Sequence, residues 1–195
     1  MTKDRLVAFT DAVLAIIMTI LVLELEKPDA PTFEAFWALR YSFFAYFLSF
    51  FWLGSLWMAL NTLWEKVEKI SVRVIWWNLG LLFFSSFLPY ATGLVSTYFT
   101  SKTIQGFYGI VVTVTTCCNY FLHKALDAPN VGNEELLDAT AIYRKLLIPD
   151  ILIKIIGFVL AIAIYPSIMS YSVLLAAAYI ITLKTIKDRK IKHKG

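Results

Sequence analysis

The stretch from Arg5 to Glu26, RLVAFTDAVLAIIMTILVLELE, is apolar in bulk. It nonetheless carries an arginine and an aspartate near its start, a threonine in its middle and two glutamates at its end. Carboxylates attract cations, and a hydroxyl oxygen can replace part of a cation's water shell, so these residue types suit ion handling better than bond-making chemistry. The run from Ala12 to Leu23 is uncharged and spans about 20 Å at 1.5 Å per residue. That falls roughly 10 Å short of the hydrocarbon thickness a lipid-facing helix must cross. Charges at membrane depth are costly against acyl chains, so this helix belongs inside the protein or beside water. Turned at about 100° per residue, Ile16, Thr19, Ile20 and Leu23 share one stripe and Asp11 points nearly opposite to Ile16. Ordinary helix packing produces the same kind of stripe.

Further polar residues sit at matching depths. Arg5, Asp11, Asn61 and Asn78, with Trp77 beside the last, are candidates for one satisfied polar cluster that pins the first helix to its neighbours. Glu24 and Glu26 would raise local cation concentration at the far end or simply be solvated there. Asp150 and Lys154 are spaced for pairing along one helix face, either as a structural pair or as part of an ion or proton path. Cys117 and Cys118 are adjacent and would close no loop. No Cys/His spacing for zinc, phosphate-binding glycine loop or G-x-S-x-G elbow occurs, so no catalytic residue, resident metal or cofactor is expected.

The elements that must position these groups are membrane spans. The chain has 195 residues, 59% of them hydrophobic and only 16% charged. With a mean hydropathy of +0.69, it lies far from soluble domains and reads as an all-α integral membrane protein. Six apolar segments are expected at approximately 6–25, 34–62, 72–98, 103–123, 144–165 and 168–186, forming a single transmembrane domain. A longer polar connection is expected over Leu126 to Thr140. Both termini are expected to be cytoplasmic, because that orientation places most of the 18 Lys and Arg on inner flanks, including Lys184, Lys187, Arg189, Lys190, Lys192 and Lys194. The same basic tail reads as a flank beside membrane lipid, not as a nucleic-acid surface. The start imitates a secretory signal, but Asp11 interrupts the apolar run and Glu24-Leu25-Glu26 offers no cleavage site. The segment is therefore expected to stay, in a multi-pass protein of a prokaryotic cell membrane.

Arg5, Phe9, Thr10 and Asp11 resemble the R-x-x-x-F-S-D signature of the TMEM175 family of potassium channels, with Thr in place of Ser. Ala15-Ile16, Thr19, Leu21, Leu23 and Pro28 follow that family's first-helix pattern. Trp76-Trp77-Asn78-Leu79 and Phe87-Leu88-Pro89-Tyr90 are similar to its third helix. At the end of the second span, where family members often carry His, this chain has Asn61, which can hydrogen-bond but cannot titrate.

The resemblance implies a potassium-selective channel in which first helices in a fourfold arrangement line a central pore. One copy of the signature per chain then requires a homotetramer. Carried over by position, Ile16 would be the narrowest hydrophobic constriction, Ile20 and Leu23 would add apolar layers, and Thr19 would supply a hydroxyl ring contributing to selectivity. No T-V-G-Y-G filter occurs, so selectivity would come from a dehydration barrier that potassium crosses at lower cost than sodium. The alternative is a small secondary transporter using Asp11 and Asp150 as coupling sites, although no three-plus-three repeat is evident.

Overall fold

The computed structural model describes the backbone of residues 1–192 and side chains through Leu183. The side chains of the basic tail expected as a membrane flank, Lys184 to Lys194, lie outside the described residues. Among the described residues eight helices follow one another: α1 Lys3–Ile20, α2 Phe33–Ala38, α3 Arg40–Trp64, α4 Val72–Ser86, α5 Leu88–Thr97, α6 Lys102–Asp127, α7 Glu134–Ala163 and α8 Ile168–Lys192. Two single 3₁₀ turns accompany them: Leu21–Glu24 extends α1, and Ala128–Asn130 follows α6.

Among the described residues four stretches are long and apolar enough to cross a membrane: Lys3–Glu24, Arg40–Trp64, Val72–Thr97 and Glu134–Ala163. Ile168–Leu183 is apolar but shorter. Helix α6 has the length, but it carries Gln105, Thr115, Thr116, Asn119 and His123, all of them buried. Its polar side therefore points into the bundle, where each group needs a partner.

Several boundaries differ from the sequence expectation for identifiable reasons. The segment expected over 34–62 is divided at Leu39, which leaves the helical region at φ −83° and ψ 10° and separates α2 from α3. The segment expected over 72–98 is two helices meeting at Phe87. Pro89, at the start of α5, has no N–H to continue the α4 ladder, and its ring crowds the carbonyl four residues back. The connection expected over Leu126 to Thr140 is largely helical. Asn133 caps α7 by accepting from the Leu136 N–H at 3.0 Å, and Glu134 and Glu135 lie at the positive end of the helix dipole.

Helix α1 packs against α3, α4 and α5, while α6 and α7 form the longest contact in the bundle and α8 closes on them. The buried apolar residues of α1 are Leu6, Leu14 and Ile17, which join a core containing Leu53, Leu60, Leu81 and Leu88, and Leu21 in the following 3₁₀ turn is buried as well. Full burial of such side chains contributes roughly 1.5–3 kcal/mol each in water. Inside lipid the gain is close packing more than exclusion of water.

Candidate functional site

The face of α1 turned toward the core is Leu6, Thr10, Leu14, Ile17 and Leu21, a repeat of three and four residues. The other face is open. Ile16 is 57% exposed, Ile20 38% and Leu23 77%, and Thr19 is exposed between them. One helix thus carries two apolar stripes, of which its own subunit covers only one. Thr19 donates its hydroxyl hydrogen to the Ile16 carbonyl at 2.8 Å. Its lone pairs are left on the open face, where they can accept from water or approach a cation.

The four residues considered for one polar cluster separate into two contacts, and two of the four join neither. Thr10 donates to the Leu6 carbonyl at 2.8 Å and accepts from Asn78 Nδ2 at 2.8 Å, fully inside the subunit. Asp11 instead accepts from Trp57 Nε1 at 3.0 Å on α3. Arg5 and Asn61 are exposed, and among the described residues neither hydrogen-bonds Asp11 or Asn78. Depth along the membrane was the common property of the four; angular position around each helix decides which of them meet. Phe9 is 49% exposed, and Trp77 stacks on Phe121 of α6 with ring centroids 4.7 Å apart.

Trp57 was not among the expected site residues. Its signal in the sequence is an indole N–H within an apolar span, a donor that needs a partner there. Lys3 adds a second tie between α1 and α3, donating to the Trp64 carbonyl at 3.4 Å.

At the far end of α1, Leu23, Glu24 and Glu26 border a cleft of 370 Å³ shared with Tyr90, Gly93 and Thr97 of α5. Thr97 Oγ1 donates to Glu26 Oε1 at 3.0 Å, while the Glu24 side chain lies directly over Gly93, where a β-carbon would collide with it. The glutamates are therefore held by α5 while remaining open to solvent on one side.

On α7, Lys154 Nζ and Asp150 Oδ2 are 2.7 Å apart and almost wholly buried. Lys154 also donates to Thr116 Oγ1 of α6 at 2.7 Å and faces the Trp52 ring of α3. Among the described residues no group of three or more His, Cys, Asp or Glu is arranged to hold a metal ion.

An all-helical membrane bundle whose first helix is locked on one side and bare on the other defines a membrane protein of channel-like construction. The comparisons give the family. The family profile described as endosomal/lysosomal potassium channel TMEM175 matches residues 5–89, which cover α1 to the start of α5. A potassium channel of Chryseobacterium sp. (strain P1-3) is 34% identical over 96% of this chain and 97% of its own length. A potassium channel of Streptomyces collinus is 29% identical over 49% of this chain and 48% of its own. The crystal structure of a lysosomal potassium-selective channel TMEM175 homolog from Chamaesiphon minutus superposes with a TM-score of 0.69. It covers 92% of this chain and 97% of that one at 21% identity, and it shows the shared fold. The chain belongs to the TMEM175 family.

Proposed function

We infer that four copies of this chain assemble into a potassium channel of a prokaryotic cell membrane, with six spans per subunit, both termini cytoplasmic and the open face of α1 turned to the common axis. The observation that carries this reading is the second apolar stripe of α1. Ile16, Thr19, Ile20 and Leu23 are left uncovered, while Leu14 and Ile17, one turn or less away, are packed in the core. A helix with so short an uncharged stretch, flanked by Asp11 and Glu24, is poorly suited to lipid on that side. Copies of itself around a narrow conduit provide a fitting environment. The potassium channels among its relatives supply the permeant ion.

Within such a pore Ile16 is the narrowest apolar ring, Ile20 and Leu23 add layers toward the glutamates, and the Thr19 hydroxyls lie between them. Small tilts of α1 would wet or dry the Ile16 ring, the ordinary way a hydrophobic constriction gates. Glu24 and Glu26 would concentrate cations at the outer mouth.

The experiment is current recording from purified protein in planar bilayers under bi-ionic potassium and sodium. A potassium-selective reversal potential is expected in the wild type, and Ile16→Asn should raise conductance at reduced selectivity. Unchanged conductance and selectivity in that variant would remove Ile16 from the gate. Flux that saturates and persists without net current would indicate a transporter.

A further inference from the structure

The pair Lys154 and Asp150 stands on α7, whereas α1 packs against α3, α4 and α5, and the surroundings of the pair contain an imbalance of hydrogen-bonding groups. Helices α3, α6, α7 and α8 line a half-open cavity of about 40 Å³ bordered by Trp52, Thr116, Asn119, Leu147, Asp150 and Lys154 among others. Two of the donors that line it, Lys154 and Thr116, are engaged. Lys154 Nζ gives hydrogens to Asp150 Oδ2 and to Thr116 Oγ1 and faces the Trp52 ring 5.3 Å from its centroid. Thr116 passes its own hydrogen to the Val112 carbonyl at 2.9 Å.

Acceptors are left over. Asp150 Oδ1 and Asn119 Oδ1 have no partner among the described residues, although Asp150 is 1% and Asn119 3% exposed. One turn further along α6, His123 Nδ1 lies 2.8 Å from the Asn119 carbonyl, so that nitrogen carries the proton and Nε2 presents a lone pair. Nε2 is likewise buried and unpartnered. His123 stacks on Tyr143, which also lines the cavity. Three buried acceptors, two of them on residues that line the cavity, therefore lack a donor among the described residues, and buried polar groups in native proteins are almost always satisfied.

Charge decides what supplies the donors. Lys154 and Asp150 already neutralise each other, so an added cation would bring an uncompensated charge into a site of low dielectric. An apolar occupant would leave the acceptors unmet. Water is neutral and donates twice, and a cavity of this volume has room for roughly three molecules.

We propose that this cavity is a hydrated site in which water bridges Asp150 Oδ1 to Asn119 Oδ1 and continues past Tyr143 to His123 Nε2. It connects the buried ion pair to the end of the bundle that carries the α6–α7 turn. The site lies within one subunit and does not depend on the pore reading. Each subunit then holds a wet crevice separate from the shared conduit.

The test is hydroxyl-radical footprinting of the full wild-type chain in lipid nanodiscs, where bound water delivers oxidation to the side chains it touches. Leu147, only 3% exposed, is expected to be oxidised about tenfold faster than Leu53 or Leu81, each 0% exposed. Equal rates would overturn the proposal. A second measurement uses Leu147→Cys in a Cys117→Ser, Cys118→Ala background, with silver ion as a thiol probe of water-passing size. Rapid reaction there, with none at Val112→Cys, supports the hydrated site; no difference between the two overturns it.

Discussion

The Trp57 indole Nε1 donates to Asp11 Oδ1 over 3.0 Å, joining α3 to α1 one and a half turns below Ile16. The signature aspartate is thus part of the mount of the first helix. It does not belong to the Ile16, Thr19, Ile20, Leu23 stripe, which is left free to face something else. Trp57→Phe keeps most of the ring surface and deletes the donor. The expected loss is about 0.5–1.5 kcal/mol of stability, at the modest end because the contact is partly exposed. It is read as a lowered thermal midpoint in detergent, accompanied by altered open probability in bilayers. An unchanged midpoint would make the contact incidental.

The contact between Asn78 and Thr10 is fully buried and should cost more to break. Thr10→Val retains the shape but leaves the Asn78 amide without its acceptor, a penalty of about 1–3 kcal/mol. Thr10→Ser restores the residue most typical of the signature and keeps both hydrogen bonds. It removes only one buried methyl group, worth about 1 kcal/mol. Thermal midpoints ordered wild type, Ser, Val would support this accounting, and Val equal to Ser would contradict it.

How these contacts relate to the sequence is instructive. The three-and-four repeat of α1 separates its two faces, because side chains on a regular helix repeat about every 3.6 residues. Which polar residues meet across helices is a matter of rotation about neighbouring axes, and sequence depth alone does not contain it. Asn61 and Trp57 are one helical turn apart on α3, yet Trp57 reaches Asp11 and Asn61 remains exposed. The start of α7 was hidden differently. The acidic run from Glu134 reads as a loop until Asn133 is recognised as its cap. The break at Phe87 had its sign in Pro89, whereas nothing in the composition around Leu39 marks the end of α2.

The Thr19 hydroxyl can be separated from its bulk. Thr19→Val preserves shape and removes the oxygen that lies on the open face of α1, while Thr19→Ser preserves the oxygen. Bi-ionic reversal potentials should show a reduced potassium-to-sodium preference for Val and near wild-type preference for Ser. Equal behaviour of the two variants would make Thr19 a packing residue.

The buried ion pair on α7 predicts a pronounced non-additivity. Asp150→Ala leaves the Lys154 ammonium buried without its counter-charge and should destabilise the fold by about 3–5 kcal/mol. Asp150→Leu combined with Lys154→Met removes both charges and should recover most of that loss, since an apolar pair avoids the desolvation cost. Denaturation of the purified chain in mixed micelles measures both. Independent, additive losses would show that the two residues are not energetically coupled.

Gly93 offers a way to move Glu24 without changing its charge. The Glu24 side chain lies where a β-carbon on residue 93 would be, so Gly93→Ala must displace the carboxylate from the face of α5. If Glu24 concentrates cations at the mouth of the conduit, displacing it changes their local density over a distance set by the Debye length, about 10 Å at 0.1 M salt and about 3 Å at 1 M. Single-channel conductance in Gly93→Ala should then depart from wild type at low ionic strength and converge with it near 1 M. Glu24→Gln should lower conductance at low salt and converge in the same way. A difference that persists undiminished at high salt would point to a steric change in the proposed conduit, because screening abolishes electrostatic attraction at its mouth but leaves its width untouched.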